Sequence, residues 1–176
     1  MAAIGPRPMA DARVGQQGTL TRIWAPRGTR PRAPRDTRYT SAYIFGAVCP
    51  ERGATAALVM PHADTAAMNA HLAEISGAVA ESAHAIIVLD GAGWHGAKAL
   101  CVPDNITLLL LPPYASELNP MENVWAYLRS NRLAISVFET YDEIVAQCCD
   151  AWNFFANDMR TVRSITNRAY AEQVKL

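Results

Sequence analysis

The sequence predicts an α/β fold in three layers, with a mixed central sheet flanked by helices. In the first half of the chain, β-branched and aromatic segments are separated by turns, which is typical of antiparallel strands. The second half alternates short apolar runs with amphipathic segments, which indicates parallel strands and helices. The length of 176 residues allows one domain with a hydrophobic core, but not two comfortable ones.

The first half is predicted to begin with an irregular tail. Residues 1–10 contain two prolines and one glycine and show no alternation. Strands are predicted at 20–24 and 39–48, and a third at 55–60 forms a hairpin with the second. Asp64 is a good N-cap for the helix that follows. The apolar positions of this helix recur at helical spacing: Met68, Leu72, Ile75 and Val79.

The second half is predicted to hold the central strands. Apolar runs at 84–89 and 106–111 indicate buried, parallel-type strands. Amphipathic helices are predicted at 119–132 and 141–155, followed by a polar end from about residue 157. The catalytic domain would then span residues 11–160, between the N-terminal tail and a C-terminal tail at 161–176.

Composition excludes several classes of protein. The apolar runs, such as 85–89 and 108–111, are far shorter than the roughly 20 residues of a membrane span. The four cysteines show no Cys-x-x-Cys spacing and no histidine partners at zinc-finger distances. We therefore expect a soluble protein of a reducing cytoplasm, with no membrane partner.

The zero net charge conceals a basic segment. Residues 1–40 hold eight arginines against two aspartates, a balance of about +6. This segment is either a phosphate-binding surface or a solvated basic loop, and charge alone does not decide between them. The arginines considered as DNA ligands are Arg27, Arg30, Arg32, Arg35 and Arg38.

Two acidic residues occupy positions that suit catalysis. Asp90 closes the apolar run at 84–89, and ligands of open α/β sheets gather at the carboxyl ends of parallel strands. Glu122 follows Asn119 by three residues, so it falls in the first turn of a predicted helix. Each also has a plain explanation, Asp90 as a turn residue and Glu122 as part of a capping box with Asn119. Together, a strand-end and a helix-borne carboxylate can share Mg²⁺ or Mn²⁺.

Five motifs make the sequence resemble bacterial insertion-sequence transposases related to mariner elements. The motifs are Ala12–Gly18 (ARVGQQG), Trp24–Gly28 (WAPRG), Leu89–His95 (LDGAGWH), Leu111–Tyr114 (LPPY) and Leu118–Trp125 (LNPMENVW). The resemblance covers nearly the whole chain. It implies a ribonuclease-H-like catalytic domain with an Asp-Asp-Glu triad, in which Asp90 is the second carboxylate and Glu122 the third. Apart from the resemblance, His95 follows Asp90 closely enough to touch substrate or solvent near the metals, or else is a hydrogen-bonded structural histidine. Asn119 is expected to position Glu122.

The resemblance also implies a cofactor and partners. Two Mg²⁺ or Mn²⁺ ions would serve strand cleavage and strand transfer at one site, as in other phosphoryl transfers. The partners would be the transposon ends and target DNA, with the protein on the nucleoid when bound, and the family implies a homodimer. Related proteins carry an upstream helix-turn-helix region, so the chain is expected to be truncated at its N-terminus.

The first carboxylate is where the sequence departs from the family. Related transposases have Asp-Glu immediately before the Ala-Arg-Val-Gly stretch, and this chain has Ala10-Asp11. Aligned without a gap, Ala10 replaces the catalytic aspartate; a slip of one residue would bring Asp11 into the triad. Three functions follow: an active DNA-cleaving enzyme that uses Asp11, an inactive remnant that binds DNA or a partner subunit, and, far behind, a hydrolase of small phosphate esters.

Overall fold

Five strands and four helices make up the described part of the chain. The computed structural model describes residues 6–17, 25–29, 32, 36–91, 98–113, 115–134 and 136–167. The strands are β1 Pro6–Gly15, β2 Ser41–Cys49, β3 Ala54–Met60, β4 Ala85–Leu89 and β5 Ile106–Leu110. The helices are α1 Thr65–Ala78, α2 Met121–Asn131, α3 Tyr141–Ala156 and α4 Met159–Thr166. The strand predicted at 20–24 lies outside the described residues.

The strands form one mixed sheet in the order β3-β2-β1-β4-β5. Strand β2 is antiparallel to both β1 and β3, whereas β4 lies between β1 and β5 and is parallel to both. The hairpin and the parallel pairing of β4 with β5 are therefore confirmed. So is the predicted class, an α/β fold with a mixed sheet flanked by helices. The expectation that both strands are central and buried is wrong for β5, which lies at the edge of the sheet with Leu109 and Leu110 exposed.

Strand β1 corrects the expectation of an irregular tail over residues 1–10. Residues 6–10 belong to this strand, at the centre of the sheet. Its register explains how Pro6 and Pro8 are tolerated, because residues 6–8 pair with β4 and residues 9–15 pair with β2. Each proline thus has a strand neighbour on one side only, where a missing N–H is tolerated. Pairing with strands far away in the sequence therefore determines the structure of residues 6–10, although their local composition predicts an irregular tail.

Helices cover both faces of the sheet and bury two separate cores. On one face, α1 packs against a cluster that includes Met9, Phe45 and Leu89. On the other face, α2, α3 and α4 bury a second cluster that includes Ala10 and Trp152. These two faces are called the α1 face and the α2 face below.

Gly46 lets aromatic rings lie directly on the α2 face. A Cβ atom at this position would be 2.6 Å from the Trp152 ring and 2.9 Å from the Trp125 ring. The two indoles also contact each other, with ring centroids 6.0 Å apart. A side chain at position 46 would push both rings off the sheet, so the absence of a Cβ sets the close approach of α2 and α3.

The helix ends follow from local capping. Asp64 caps α1 as predicted, since its carboxylate accepts a hydrogen bond from the Ala67 N–H at 2.8 Å. The polar end expected beyond residue 157 is wrong in part, because Asp158 caps the helix α4. Val162 and Thr166 of α4 are buried, so a short apolar stripe folds this polar segment onto the domain. No helix within the described ranges is long and apolar enough to cross a membrane.

Candidate metal and DNA site

Asp90 directly follows strand β4 at the carboxyl end of the parallel strands. Within β4, Ala85, Ile87 and Leu89 belong to the core of the α1 face. Because successive side chains alternate between the faces of a strand, position 90 continues the series that faces α2. Asp90 is half-buried. It therefore stands where the sequence predicted it, at the carboxyl end of a parallel strand, on the side of the sheet that carries α2.

Glu122 lies in the first turn of α2 and is exposed. Its neighbours Met121, Val124 and Trp125 are buried, so they hold the helix against the sheet while Glu122 remains accessible. In the described part of the chain the Glu122 carboxylate makes no hydrogen bond or ion pair. The reciprocal bond of a capping box, from its carboxylate to the Asn119 N–H, is therefore not formed.

Asn119 fixes the start of α2 to strand β1. It is almost fully buried, at 1% exposure. Its side-chain amide donates to the Met9 carbonyl at 2.9 Å, and its side-chain oxygen accepts from the Met121 N–H at 3.1 Å. The helix begins at Met121 with Pro120 at the N-cap position, so the expectation that Asn119 is the N-cap is wrong, although its side chain still accepts from the first helical N–H. The same side chain sets the distance between the first turn of α2 and the centre of the sheet.

Residues 10 and 11 point to opposite faces of the sheet. Asp11 is paired across the β1–β2 ladder with Phe45, whose side chain is buried in the α1-face core. Ala10 is paired with Gly46 and belongs to the α2-face core. Directly paired residues project to the same face. Asp11 is half-buried, and it makes at least one interaction with other residues.

The donor set for a divalent cation is incomplete among the described residues. No group of three or more histidine, cysteine, aspartate or glutamate side chains comes together there in a way that could hold a metal ion. Asp90 and Glu122 provide hard oxygen ligands of the kind that Mg²⁺ and Mn²⁺ prefer. They fall one short of three carboxylates. His95, expected to support the site, lies outside the described residues.

The described arginines of the basic segment differ in whether they form ion pairs. Arg27 and Arg32 are exposed. Arg30 and Arg35 lie outside the described residues. Arg38, in contrast, is held by ion pairs with Asp36 at 2.7 Å and with Glu139 at 3.0 Å. Its guanidinium also donates to the Phe138 carbonyl at 2.7 Å.

Arg38 and Gln16 together join the early segment to the loop before α3. The side-chain amide of the buried Gln16 donates to the same Phe138 carbonyl at 2.9 Å, and its oxygen accepts from the Thr40 N–H at 3.2 Å. Sequence reasoning assigned Gln16 no individual role, although it lies in the Ala-Arg-Val-Gly-Gln motif. A glutamine within the stretch Val-Gly-Gln-Gln-Gly gives no local sign of a partner that is 122 residues away.

We expect Arg38→Ala to lower the melting temperature at neutral pH by a few degrees, because it removes two ion pairs and a bond to a backbone carbonyl. The effect should depend on pH. Hydrogen bonds from Arg38 lower the pKa of Asp36 to about 2. The pair is therefore at full strength above about pH 4 and weakens as the pH falls toward 2.

Thermal denaturation followed by circular dichroism measures this effect, and Arg27→Ala is the matched control at an exposed arginine. Equal melting temperatures for the two variants would contradict a structural role for Arg38.

Two comparisons of sequence relate this chain to known proteins. A family described as DDE superfamily endonuclease matches residues 11–145. The chain is also 52% identical over 132 residues to the uncharacterized protein y4pE/y4sA of Sinorhizobium fredii (strain NBRC 101917 / NGR234), and the match covers 75% of this chain and 98% of that protein.

Solved structures share the fold. A Mos1 transposase paired-end complex with the left transposon end superimposes with a TM-score of 0.66 at 16% identity, over 92% of this chain and 51% of that one. A Mos1 paired-end complex with Mg gives a TM-score of 0.63, also at 16% identity, over 92% and 51%. The chain spans about half the length of these transposases. The ribonuclease-H-like fold predicted from the sequence is confirmed.

Proposed function

This chain belongs to the DDE superfamily endonucleases, and from that premise we propose that it is the DNA-cleaving and DNA-joining domain of a transposase. Its substrates are then phosphodiesters at transposon ends and in target DNA. The shared fold with Mos1 transposase complexes supports this assignment. Subunit pairing, which the family implies, belongs to the same proposal.

One observation carries the proposal: a carboxylate that follows a parallel strand and a carboxylate in the first turn of a helix belong to elements that are both held against the central strand β1. Asp90 directly follows a central parallel strand, β4, and Glu122 lies in the first turn of α2, which packs on β1 and β2. Asn119 ties that helix to β1 at Met9, next to β4. The accessible, unbonded carboxylate of Glu122 favours a functional role over a capping role.

Mg²⁺ or Mn²⁺ is the cofactor that this chemistry fits. Two carboxylates on one edge attract a hard divalent cation, and near such an ion exposed arginines can hold DNA phosphates. Arg27 and Arg32 are suited to that contact because they are exposed. Arg38 is a poor phosphate ligand since carboxylates already occupy its donors. The family's pair of ions requires more ligands than Asp90 and Glu122 supply.

We expect Asp90→Asn and Glu122→Gln each to weaken Mn²⁺ binding by more than roughly 100-fold, because loss of a direct ligand exceeds the 10- to 100-fold cost of losing a supporting residue. Calorimetric titration measures the affinity, and nicking of supercoiled plasmid DNA in Mn²⁺ measures the activity. Any nicking by the unmodified chain should fall to background in both variants, while circular dichroism shows an unchanged fold.

The matched control is Asp104→Asn, an exposed acid just before β5 and therefore at the amino end of the parallel strands. It should leave Mn²⁺ affinity and nicking as they are in the unmodified chain. The proposal is wrong if both Asp90→Asn and Glu122→Gln retain the parental affinity and the parental nicking rate.

A further inference from the structure

Given the proposed function, on which this step rests, we infer that position 10 and not position 11 is the place of the first carboxylate, so that Ala10 leaves the site one ligand short. The sequence alone left both positions open. The pairing of β1 with its two neighbours separates them, because a shift of one residue along a strand moves a side chain to the opposite face.

The β1–β2 register puts Asp11 on the wrong face for this site. Its partner Phe45 is fully buried with Met9 in the core beneath α1. Ala12 and Val14 alternate with Asp11 and pack against the opposite core, beneath α2. Glu122 belongs to α2. The sheet therefore lies between a carboxylate at position 11 and Glu122.

The β1–β4 register puts position 10 beside Asp90. These strands are parallel neighbours, and their last pair is Pro8 with Val88. Two residues further along the chain are Ala10, within β1, and Asp90, one residue beyond the end of β4. If the register is extended to them, they project to the same face as the Pro8–Val88 pair. Neighbouring strands are about 4.8 Å apart. A carboxylate at position 10 would thus lie within reach of a cation held by Asp90.

The start of α2 completes the arrangement. Asn119 is bonded to the Met9 carbonyl, so the first turn of α2 is anchored one residue away from position 10. Ala10 is 3% exposed and packs in the α2-face core, whose members include Met121. Positions 10, 90 and 122 therefore converge from a central strand, its parallel neighbour and the helix above them. Only two of the three carry a carboxylate.

The inference predicts that the stability of the Ala10→Asp variant depends on a divalent cation. A carboxylate buried there next to Asp90 is costly without a counter-charge, so the variant should melt at a lower temperature than the unmodified chain in the absence of metal. Mn²⁺ should reverse much of that loss, because ligand binding to the folded state raises its stability. We expect Mn²⁺ affinity to increase at least about tenfold over the unmodified chain.

Four variants test this by Mn²⁺ titration and by the rise in melting temperature with Mn²⁺. Ala10→Asp should bind more tightly, Ala10→Asn should not, and Asp11→Asn should match the unmodified chain. The Ala10→Asp/Asp90→Asn double variant should lose the increase in Mn²⁺ affinity that Ala10→Asp gives. The inference is overturned if Asp11→Asn loses affinity as severely as Asp90→Asn, or if folded Ala10→Asp binds no better than the unmodified chain.

A second pair of variants covers the case in which Ala10→Asp does not fold. Cysteine is only slightly larger than alanine, and its thiolate binds Cd²⁺ with a characteristic ultraviolet absorption. Ala10→Cys should gain this absorption above the background of the native cysteines and lose it with Asp90→Asn, whereas Asp11→Cys should not gain it. A gain in Asp11→Cys alone, or in neither variant, overturns the inference.

These results separate the two proposals. If Asp11, Asp90 and Glu122 variants all lose Mn²⁺ binding and nicking, the proposed function stands and the inference about position 10 fails. If no substitution at Asp90 or Glu122 changes binding, in the unmodified chain or in Ala10→Asp, the proposed function itself fails.

Discussion

Replacing Asn119 with alanine should lower the free energy of unfolding by about 2 to 3 kcal/mol, since it leaves a buried carbonyl and a helix N–H without their partner. The carbonyl belongs to Met9 of the central strand, and the N–H belongs to Met121 in the first turn of α2. The side chain is 1% exposed, so water cannot easily replace it. Urea denaturation measures the change.

Asn123→Ala is the matched control on the same helix. The Asn123 side chain makes one bond, to the Ile165 carbonyl at 2.8 Å, in a half-buried position. Its loss should cost about 1 kcal/mol. If Asn119→Ala costs no more than Asn123→Ala, the bond to Met9 does not anchor α2.

Asn119→Asp separates the two bonds of this side chain. The aspartate retains an acceptor for the Met121 N–H but turns a second oxygen toward the Met9 carbonyl. We expect this variant to be at least as unstable as Asn119→Ala at neutral pH and to recover as the carboxyl is protonated in acid, because a protonated carboxyl can donate to the carbonyl.

Much of the fold could be predicted because its signals are local. Asp64 caps α1 from its own sequence position, and the apolar run of β4 is largely buried, as such a run predicts. The apolar run of β5 predicted a buried strand too, but β5 lies at the edge of the sheet and exposes Leu109 and Leu110. The strand at residues 6–10 could not be predicted from local composition, because it depends on pairing with β2 and β4, which begin more than 30 residues later. Helix α4 could not be predicted because its sequence contains few apolar positions at helical spacing.

The site could be predicted in part for the same reason. Asp90 and Glu122 could be singled out because a strand end and a helix start are both visible as local patterns in the sequence. The face of residue 10 or 11 is set by pairing with Gly46 or Phe45, and no local pattern reports that register. Arg38 resembled a phosphate ligand by composition, but its partner Glu139 is 101 residues away.

His71 should make the stability of the fold strongly dependent on pH. The side chain is fully buried on α1 and packs against Phe45, with ring centroids 6.0 Å apart. Neither ring nitrogen has a hydrogen-bond partner among the described residues. Burial lowers the pKa of His71 to about 4, and the nearby backbone of Gly46 offsets this effect in part.

The sign of the pH effect follows from which state binds the proton. Between about pH 6.5 and pH 4 the unfolded chain protonates this histidine, while the folded chain keeps it neutral. The free energy of unfolding should therefore fall as the pH falls through this range, by about 3 kcal/mol in total for His71. The contribution of Asp36 changes only below about pH 4, so it does not overlap.

Urea denaturation at pH 7.5, 6 and 4.5 tests this expectation in the unmodified chain and in two variants. His71→Leu should abolish most of the pH dependence, because leucine fills the site with no group to protonate. His62→Gln, at an exposed histidine, should retain it. If His71→Leu loses as much stability between pH 7.5 and pH 4.5 as the unmodified chain does, the acid sensitivity arises from groups other than this buried ring.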